Sequence, residues 1–276
     1  MYQAGGGFGK DEIALLSGIE LLGLRIMRVI RCLAIVGLCV FALGLRLPAS
    51  ATSIKYLGQS CFLITANNGL RIILDPFRAG DVIRYRTLPT KADVVFVSHE
   101  HFDHNATDRV NGKPVIVGPM SGRDIQELSV RTRKGILRYR NFPSWHDEEH
   151  GRQRGPNTVR AITVDGVKIC HFGDLGYGLP IAQSSDIHAD IWLIPVGGKV
   201  TIDAARATKL IADTPKSNQP AVIIPMHYKT PMVDLPLNLV DKFLEGKKNV
   251  EKLKGNTFVF SKDKLPKTQK IVVLTP

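Results

Sequence analysis

Cysteine is scarce, with four in 276 residues, and this excludes a disulfide-built mini-protein. Aromatics make up 7% and tryptophan occurs twice. The basic stretches therefore lack the interleaved rings on which single-stranded nucleic acid stacks. Long apolar runs are scarce too: the single one lies near the N-terminus, which excludes a polytopic membrane protein. There is no internal repeat, low-complexity tract or Pro/Gly/Ser linker. With 44% hydrophobic and 22% charged residues, intrinsic disorder and collagen-like structure are excluded as well. What is abundant is positive charge, 37 Lys+Arg against 25 Asp+Glu, for a net charge of +12. That balance attracts anionic partners without choosing among nucleic acid, phospholipid and phosphate esters.

The apolar run is Cys32–Leu45, preceded by Arg25, Arg28 and Arg31 and followed by the small-residue tripeptide Ala49-Ser50-Ala51. This order predicts a secretory signal peptide over 1–51, cleaved after Ala51. At 14 residues the run is shorter than the roughly 20 that span a bilayer, and an uncleaved N-terminal anchor is the alternative. Met27 opens a complete signal by itself, so translation is expected to start there. No Arg-Arg pair is present in the segment, which favours the general export route over the twin-arginine one. The expected location is the periplasm or cell envelope. Residues 1–51 hold five basic and three acidic side chains, so 32 basic and 22 acidic remain in 52–276, a net charge of +10. Cys61 and Cys170 each sit in an apolar run and are expected to be buried free thiols.

In the mature chain, Ser53–Leu57, Cys61–Thr65 and Leu70–Leu74 read as strands, with Asn67-Asn68-Gly69 as a hairpin turn. Further strands are expected at Ala92–Val97, Pro114–Val117, Ile136–Phe142, Thr158–Val164, Val167–His171, Ile191–Pro195, Ala221–Pro225, Thr257–Phe260 and Lys270–Leu274. Apolar residues three and four apart predict helices over Asp203–Ala212 and Leu237–Leu244. One α/β domain over 52–276 follows.

Chemistry concentrates in Ser98-His99-Glu100-His101-Phe102-Asp103-His104, directly after the strand ending at Val97. His99 and His101, two apart, can point the same way, while Asp103 and His104 follow a turn and can face a second point. Neutral imidazoles and carboxylates suit Zn²⁺ and are acceptable to Mn²⁺ and Fe²⁺. Two metals there would each be short of ligands. His146, Asp174 and His227 each follow or end a predicted strand, so all can converge on one rim.

His-x-His-x-Asp-His with a later His, a Gly-Asp and a final His resembles the metallo-β-lactamase superfamily of metal-dependent hydrolases. The segments Tyr56-Leu-Gly-Gln-Ser-Cys-Phe62, Gly155-Pro-Asn157, Gly173-Asp-Leu-Gly176, Pro195-Val-Gly-Gly198 and Ile224-Pro-Met-His-Tyr228 are similar to its bacterial branch. That branch includes ascorbate-phosphate lactonase-like and uncharacterised hydrolases. The resemblance implies a single-domain, four-layer αββα sandwich with two divalent metal ions, Zn²⁺ first and Mn²⁺ second, at one edge of the sheets. It implies that His99, His101 and His146 hold one metal, that Asp103, His104 and His227 hold the other, and that Asp174 bridges them. Asp75 matches an early aspartate that orients a ligand imidazole. Gln59 departs from the family, which often has His there, and this touches a contact to substrate or to a ligand.

The implied reaction is cleavage of an ester, lactone or phosphodiester by a metal-activated hydroxide, available near neutral pH because the metal lowers the pKa of water to about 7. Asp103 is the expected catalytic residue, orienting the attacking oxygen. Arg154 is expected either to meet an anionic substrate or to lie in a purely structural Gly/Pro turn. Asp203 is expected to cap a helix, with a substrate role as the alternative. Asp147 reads as a solvated turn acid; His150, His171 and His188 read as surface or satisfied core residues, with His171 the best placed to support a ligand. The basic segment Arg109–Arg140 reads as a solvated face or an anion-steering one. The expected partner is a small or lipid-like anionic substrate, with no specific nucleic acid. Competing readings are a mononuclear iron oxygenase or thioesterase on the same fold, and a non-catalytic binding protein. β-Lactam hydrolysis does not follow from the fold.

Overall fold

Alternation along the first strands decides how they stack. The computed structural model describes residues 51–86, 91–177, 179 and 181–276; residues 1–50, on which the signal reading falls, lie outside them. β1 (Thr52–Gly58), β2 (Cys61–Thr65) and β3 (Arg71–Leu74) pair antiparallel. β4 (Val94–Phe96) and β5 (Val115–Val117) continue parallel to β3. In these strands Phe62, Ile64, Ile72, Leu74, Val94 and Phe96 face the main core. Cys61, Leu63, Ile73 and Val95 point the other way, into a smaller cluster with Phe77, Ile83, Tyr85, Val110 and Val233, as the two-residue strand period requires.

The second sheet begins with the antiparallel run β6 (Gln126–Thr132), β7 (Gly135–Trp145), β8 (Pro156–Val164) and β9 (Val167–His171). β10 (Ile191–Pro195) and β11 (Val222–Met226) add parallel to β9. β12 (Val250–Lys252), β13 (Thr257–Phe260) and β14 (Lys270–Val273) complete the strands. The two sheets run β13-β1-β2-β3-β4-β5 and β12-β14-β11-β10-β9-β8-β7-β6. They face each other across one core in which Phe142, Phe172, Trp192 and Ile224 are buried. Residues 49–276 form one compact unit, a mixed α/β two-sheet sandwich.

Short helices α1 (Ile181–Asp186) and α3 (Asp241–Leu244) accompany the longer α2 (Ala204–Asp213). α2 turns Ala204, Ala207, Leu210 and Ile211 into the main core, and the Asp203 carboxylate accepts from the Arg206 amide at 2.9 Å to cap it. The outer layer over the first sheet is instead made of loops around 76–85, 106–110 and 229–237.

Most expected strands form within one or two residues of their predicted ends. The helix expected over Leu237–Leu244 is a correction: only Asp241–Leu244 is helical. The Asn238 amide donates to Gly197 and its carbonyl accepts from Lys229, so tertiary pairing takes the groups a helix would need. β6 alternates only at Leu128 and Val130, β12 has a single apolar residue, and α1 is too short to show a period; all three escaped the sequence. Cys61 and Cys170 are buried and free, as expected. Among the described residues, no helix is long and apolar enough to cross a membrane.

Candidate metal centre

Topology brings the chemistry to one rim. β3, β4 and β5 are parallel, so Asp75, Ser98 and His99 leave the same end of the first sheet. β7 is antiparallel to β8 and β8 to β9, so β7, β9, β10 and β11 all run the same way. His146, Asp174, Gly197 and His227 therefore emerge at one end of the second sheet. Carboxyl ends of parallel strands are where α/β sheets place their ligands. The β1–β2 turn brings Gln59 to the same place, since β2 begins opposite the end of β3.

Two groups of side chains that could hold a metal ion form there: His99, His101 and His146, and Asp103, His104, Asp174 and His227. Their donor atoms lie within 4.8 Å of one another in each group, close to what bonds of about 2.0–2.2 Å to a single ion require. Asp174 lies between the groups, 3.2 Å from Nε2 of each of His104, His146 and His227 and 4.0 Å from Nε2 of His99. All these residues are buried except His101, which is half-buried. The Nε2 atom of His104 faces only the Asp174 and Asp103 carboxylates, at 3.2 and 3.5 Å, and that of His99 is buried without a hydrogen-bond partner. Buried polar atoms ordinarily find one, so a cation fits this donor set.

Asp75 sets the ring orientations. Its carboxylate accepts from the Ser98 amide at 2.8 Å, the Ser98 hydroxyl at 2.6 Å and His104 Nδ1 at 2.8 Å. With its proton committed to Asp75, the Ser98 oxygen accepts from His99 Nδ1 at 2.9 Å. With a metal bound, both imidazoles would keep their proton on Nδ1 and turn Nε2 to the centre, the tautomer a metal needs. β8 holds the two sheets in register here: the Thr158 amide donates to Ser98 O, and the Asp174 amide to Asn157 Oδ1 at 3.0 Å. A Cβ on Gly176 would collide with the His146 backbone, and one on Gly197 with the His227 carbonyl, so both loops need glycine to close on the rim. Gln59, Asp75 and His227 have φ of 54°, 44° and 50°, left-handed values that non-glycine residues hold only under tertiary constraint.

The electrostatics ask for positive charge. Burial alone would raise the Asp103 and Asp174 carboxyls, but the neighbouring histidines together, His104 foremost with His227 and, for Asp174, His146, hold both well below the usual range. Burial lowers His227 and His104, yet Asp174 and Asp103 overcome it, raising His227 to about 9 and His104 well above the ordinary imidazole value. His99 goes the other way, driven well down by burial and by His104. A bound cation takes over the role of those protons.

The remaining expected residues divide. Gln59 is fully buried, its amide nitrogen 2.9 Å from Asp103 Oδ2 and 2.7 Å from His227 Nε2. Arg154 and Asp203 stand back from the donors but line a cavity of about 460 Å³ beside His146, together with Lys199 and Arg206. Asp147 is a correction: it is buried, and it accepts backbone N–H bonds from Glu149, Gly151, Gln153 and Arg154. The tight Gly/Pro-rich loop folds back on this one carboxylate instead of leaving it in solvent. His171 is a satisfied core residue; its Nε2 donates to Ser60 O at 2.8 Å and its Nδ1 accepts from Gly173 at 3.2 Å. His150 and His188 are exposed.

Three contributors were missed. Ser98 links Asp75 to His99, and Asn157 links β8 to Asp174. Arg160 is a buried arginine that donates to Asn141 Oδ1, Val97 O and Gly118 O, with its guanidinium 4.8 Å from the Phe96 ring. A charged residue inside the apolar run Thr158–Val164 was the signal for Arg160.

A buried histidine–aspartate cluster on the carboxyl rim of a two-sheet sandwich is the class of site a metal-dependent enzyme uses, and the relatives of this chain make that class metal-dependent hydrolases. The chain belongs to the β-lactamase superfamily, whose domain model matches residues 53–227. It is similar to a UPF0173 metal-dependent hydrolase of Archaeoglobus fulgidus, 28% identical over 224 residues, covering 73% of this chain and 91% of the relative. A UPF0173 metal-dependent hydrolase of Methanosphaera stadtmanae is 30% identical over 219 residues, covering 70% of this chain and 91% of its own. Among solved structures, a candidate Zn-dependent hydrolase of the metallo-β-lactamase superfamily from Thermotoga maritima matches with a TM-score of 0.61 at 30% identity. That match covers 81% of this chain and 98% of the other.

Proposed function

We propose that the protein is an exported hydrolase that cleaves an ester, lactone or phosphodiester bond in a small or lipid-like anionic substrate. The observation that carries this reading is the pair of donor groups sharing Asp174. His99, His101 and His146 would hold one divalent ion and Asp103, His104 and His227 a second, with Asp174 available to both; nitrogen and oxygen donors favour Zn²⁺, then Mn²⁺. The chemistry such ions would supply is a water of pKa about 7 and polarisation of the carbonyl or phosphoryl oxygen. Asp103 orients the attacking water through its carboxylate. The cavity beside His146 receives the anionic part of the substrate. Arg154 and Lys199 line it, and neither side chain has a carboxylate partner among the described residues, whereas Arg206 is already paired with Glu148. Export rests on the charged, apolar and small-residue order of residues 25–51.

Metal analysis of the purified protein should give two Zn or Mn per chain. Hydrolysis of a phosphodiester, ester or lactone should vanish with chelator and return with either ion. One iron per chain with oxygen consumption would overturn the assignment in favour of an oxygenase; an absence of metal would favour a binding protein. Within the cavity, Arg154→Ala should raise KM about tenfold for an anionic substrate with kcat nearly unchanged, because a charged hydrogen bond is worth about 1.5–3 kcal/mol. An uncharged analogue should not respond.

Gln59 gives a sharper expectation. Its amide nitrogen lies 2.7 Å from His227 Nε2 and 2.9 Å from Asp103 Oδ2, the atoms that the second ion would use, and competes with that ion for them. Gln59→Ala should therefore tighten the second metal about fivefold to tenfold, the worth of roughly one hydrogen bond, and leave the first unchanged. Titration against a competing chelator reads both affinities.

A further inference from the structure

At the opposite end of the strands that carry the metal centre lies a second concavity with its own chemistry. β3, β4 and β5 end at the centre; their starts, with the β6–β7 turn, enclose a cleft of about 1000 Å³. Arg71 opens β3 here and Asp75 follows its last residue, so the two ends stand about 13 Å apart at the strand rise of roughly 3.3 Å per residue. Six cationic side chains line the cleft: Arg71, Lys91, Lys113, Arg131, Arg133 and Lys134.

Asp93 is the one carboxylate in that lining, and it is already satisfied. Lys134 Nζ reaches it at 2.9 Å and the Arg71 amide donates to it at 2.8 Å. The side chains of Arg71, Lys91, Lys113, Arg131 and Arg133 have no carboxylate partner among the described residues. The Arg71 guanidinium makes no hydrogen bond to any of them, and its Nε is buried without an acceptor. Five unneutralised cations around one concavity repel each other, and an oxyanion removes that repulsion. Guanidinium groups suit phosphate, whose oxygens accept paired N–H donors. The cleft is far larger than a single phosphate. Val115 lines it, 41% exposed, and the neighbouring Ile116 on the β5 edge is 47% exposed. An uncharged or apolar body attached to the phosphate fits that wall.

We propose that this cleft is a phosphate-group binding site, separate from the metal centre, for a phosphorylated glycerol-like ligand or the headgroup of an anionic phospholipid. It gives the basic segment around Arg131 and Arg133 a specific use beyond solvation.

The test compares the full-length, metal-loaded chain with a triple variant, Lys113→Glu, Arg131→Glu and Arg133→Glu, all at exposed positions away from the metal donors. One arm titrates glycerol 3-phosphate calorimetrically; the other measures partition onto vesicles with 30% phosphatidylglycerol in phosphatidylcholine. Each cation near an anionic surface contributes about a fivefold factor, so the variant should bind about 100-fold more weakly. Metal content and hydrolysis should be unchanged. Loss in the first arm alone identifies a soluble phosphate ester, and loss in the second alone identifies a lipid headgroup; either supports the site. Equal binding by parent and variant in both arms overturns it. So does retention of a DNA duplex by the parent with neither phosphate probe bound. Phosphate held at the metal centre would be untouched by these substitutions, so failure here leaves the hydrolase reading standing.

Discussion

Replacing Asp174 with alanine is expected to abolish hydrolysis, by about a thousandfold or more, and, on the two-ion proposal, to lower bound metal to less than one ion per chain. The carboxylate is the one group that approaches four imidazoles, those of His99, His104, His146 and His227. Its loss therefore weakens both donor groups together, whereas loss of His101 would touch only one. A Lewis-acid metal is worth several kcal/mol of transition-state stabilisation, and about 4 kcal/mol corresponds to three orders of magnitude in rate. The fold should survive, because the Asp174 amide keeps its bond to Asn157 and the side chain anchors no core packing. Metal analysis and kcat/KM on the same preparation decide the matter. Full activity with unchanged metal content would contradict the bridging role, and the same result for His227→Ala would contradict the second donor group.

Asp75 is expected to give the largest loss of stability among the site residues. Asp75→Ala leaves the Ser98 amide and His104 Nδ1 buried without an acceptor and frees the Ser98 hydroxyl from the partner that fixes its direction. An orphaned buried donor costs about 1–3 kcal/mol, so the sum is about 3–5 kcal/mol. That corresponds to a fall in Tm of about 10 °C for a chain of this size. Asp75→Asn isolates the functional part. It keeps the shape but replaces one oxygen by NH2. Oδ2 accepts from both the Ser98 hydroxyl and His104 Nδ1 while Oδ1 accepts from the Ser98 amide, so one side of the group meets a donor, and the negative charge that holds the His104 proton on Nδ1 is gone. Metal affinity should then drop by about 10–100-fold, the usual cost of losing a group that supports a ligand, with a smaller loss in Tm. Thermal unfolding of the metal-free protein and chelator competition separate the two effects. Equal metal affinity in Asp75→Asn and the parent would remove Asp75 from this role.

Much of this was legible in the chain. The strand runs were visible because apolar β-branched segments of four to eight residues alternate or run continuously between turn residues, as in Cys61–Thr65 and Ile191–Pro195. The donors were visible because six successive residues hold four metal-binding groups, and because His146, Asp174 and His227 each mark the exit of a strand. β6 was hidden, since its outward face is polar and its partner β7 supplies the pattern. The expected helix at Leu237 failed because amphipathic spacing says nothing about which backbone groups a neighbouring loop will claim, and here Gly197 and Lys229 claim those of Asn238. Asp147 misled for a related reason: an acid beside two glutamates reads as solvated until the loop closes over it.

The sequence by itself determined the kind of chemistry and the end of the strands that carries it, because ligand identity and strand boundaries are local properties. Tertiary structure alone decided the rest. It joined His99 to Asp75 through Ser98, set Gln59 against His227 across 168 residues of chain, and paired Asp93 with Lys134 so that the surrounding cations stay unneutralised. Such relations depend on separations of a few ångströms between distant segments. They are fixed by how two sheets stack and how strands register, and no periodicity in the chain records them.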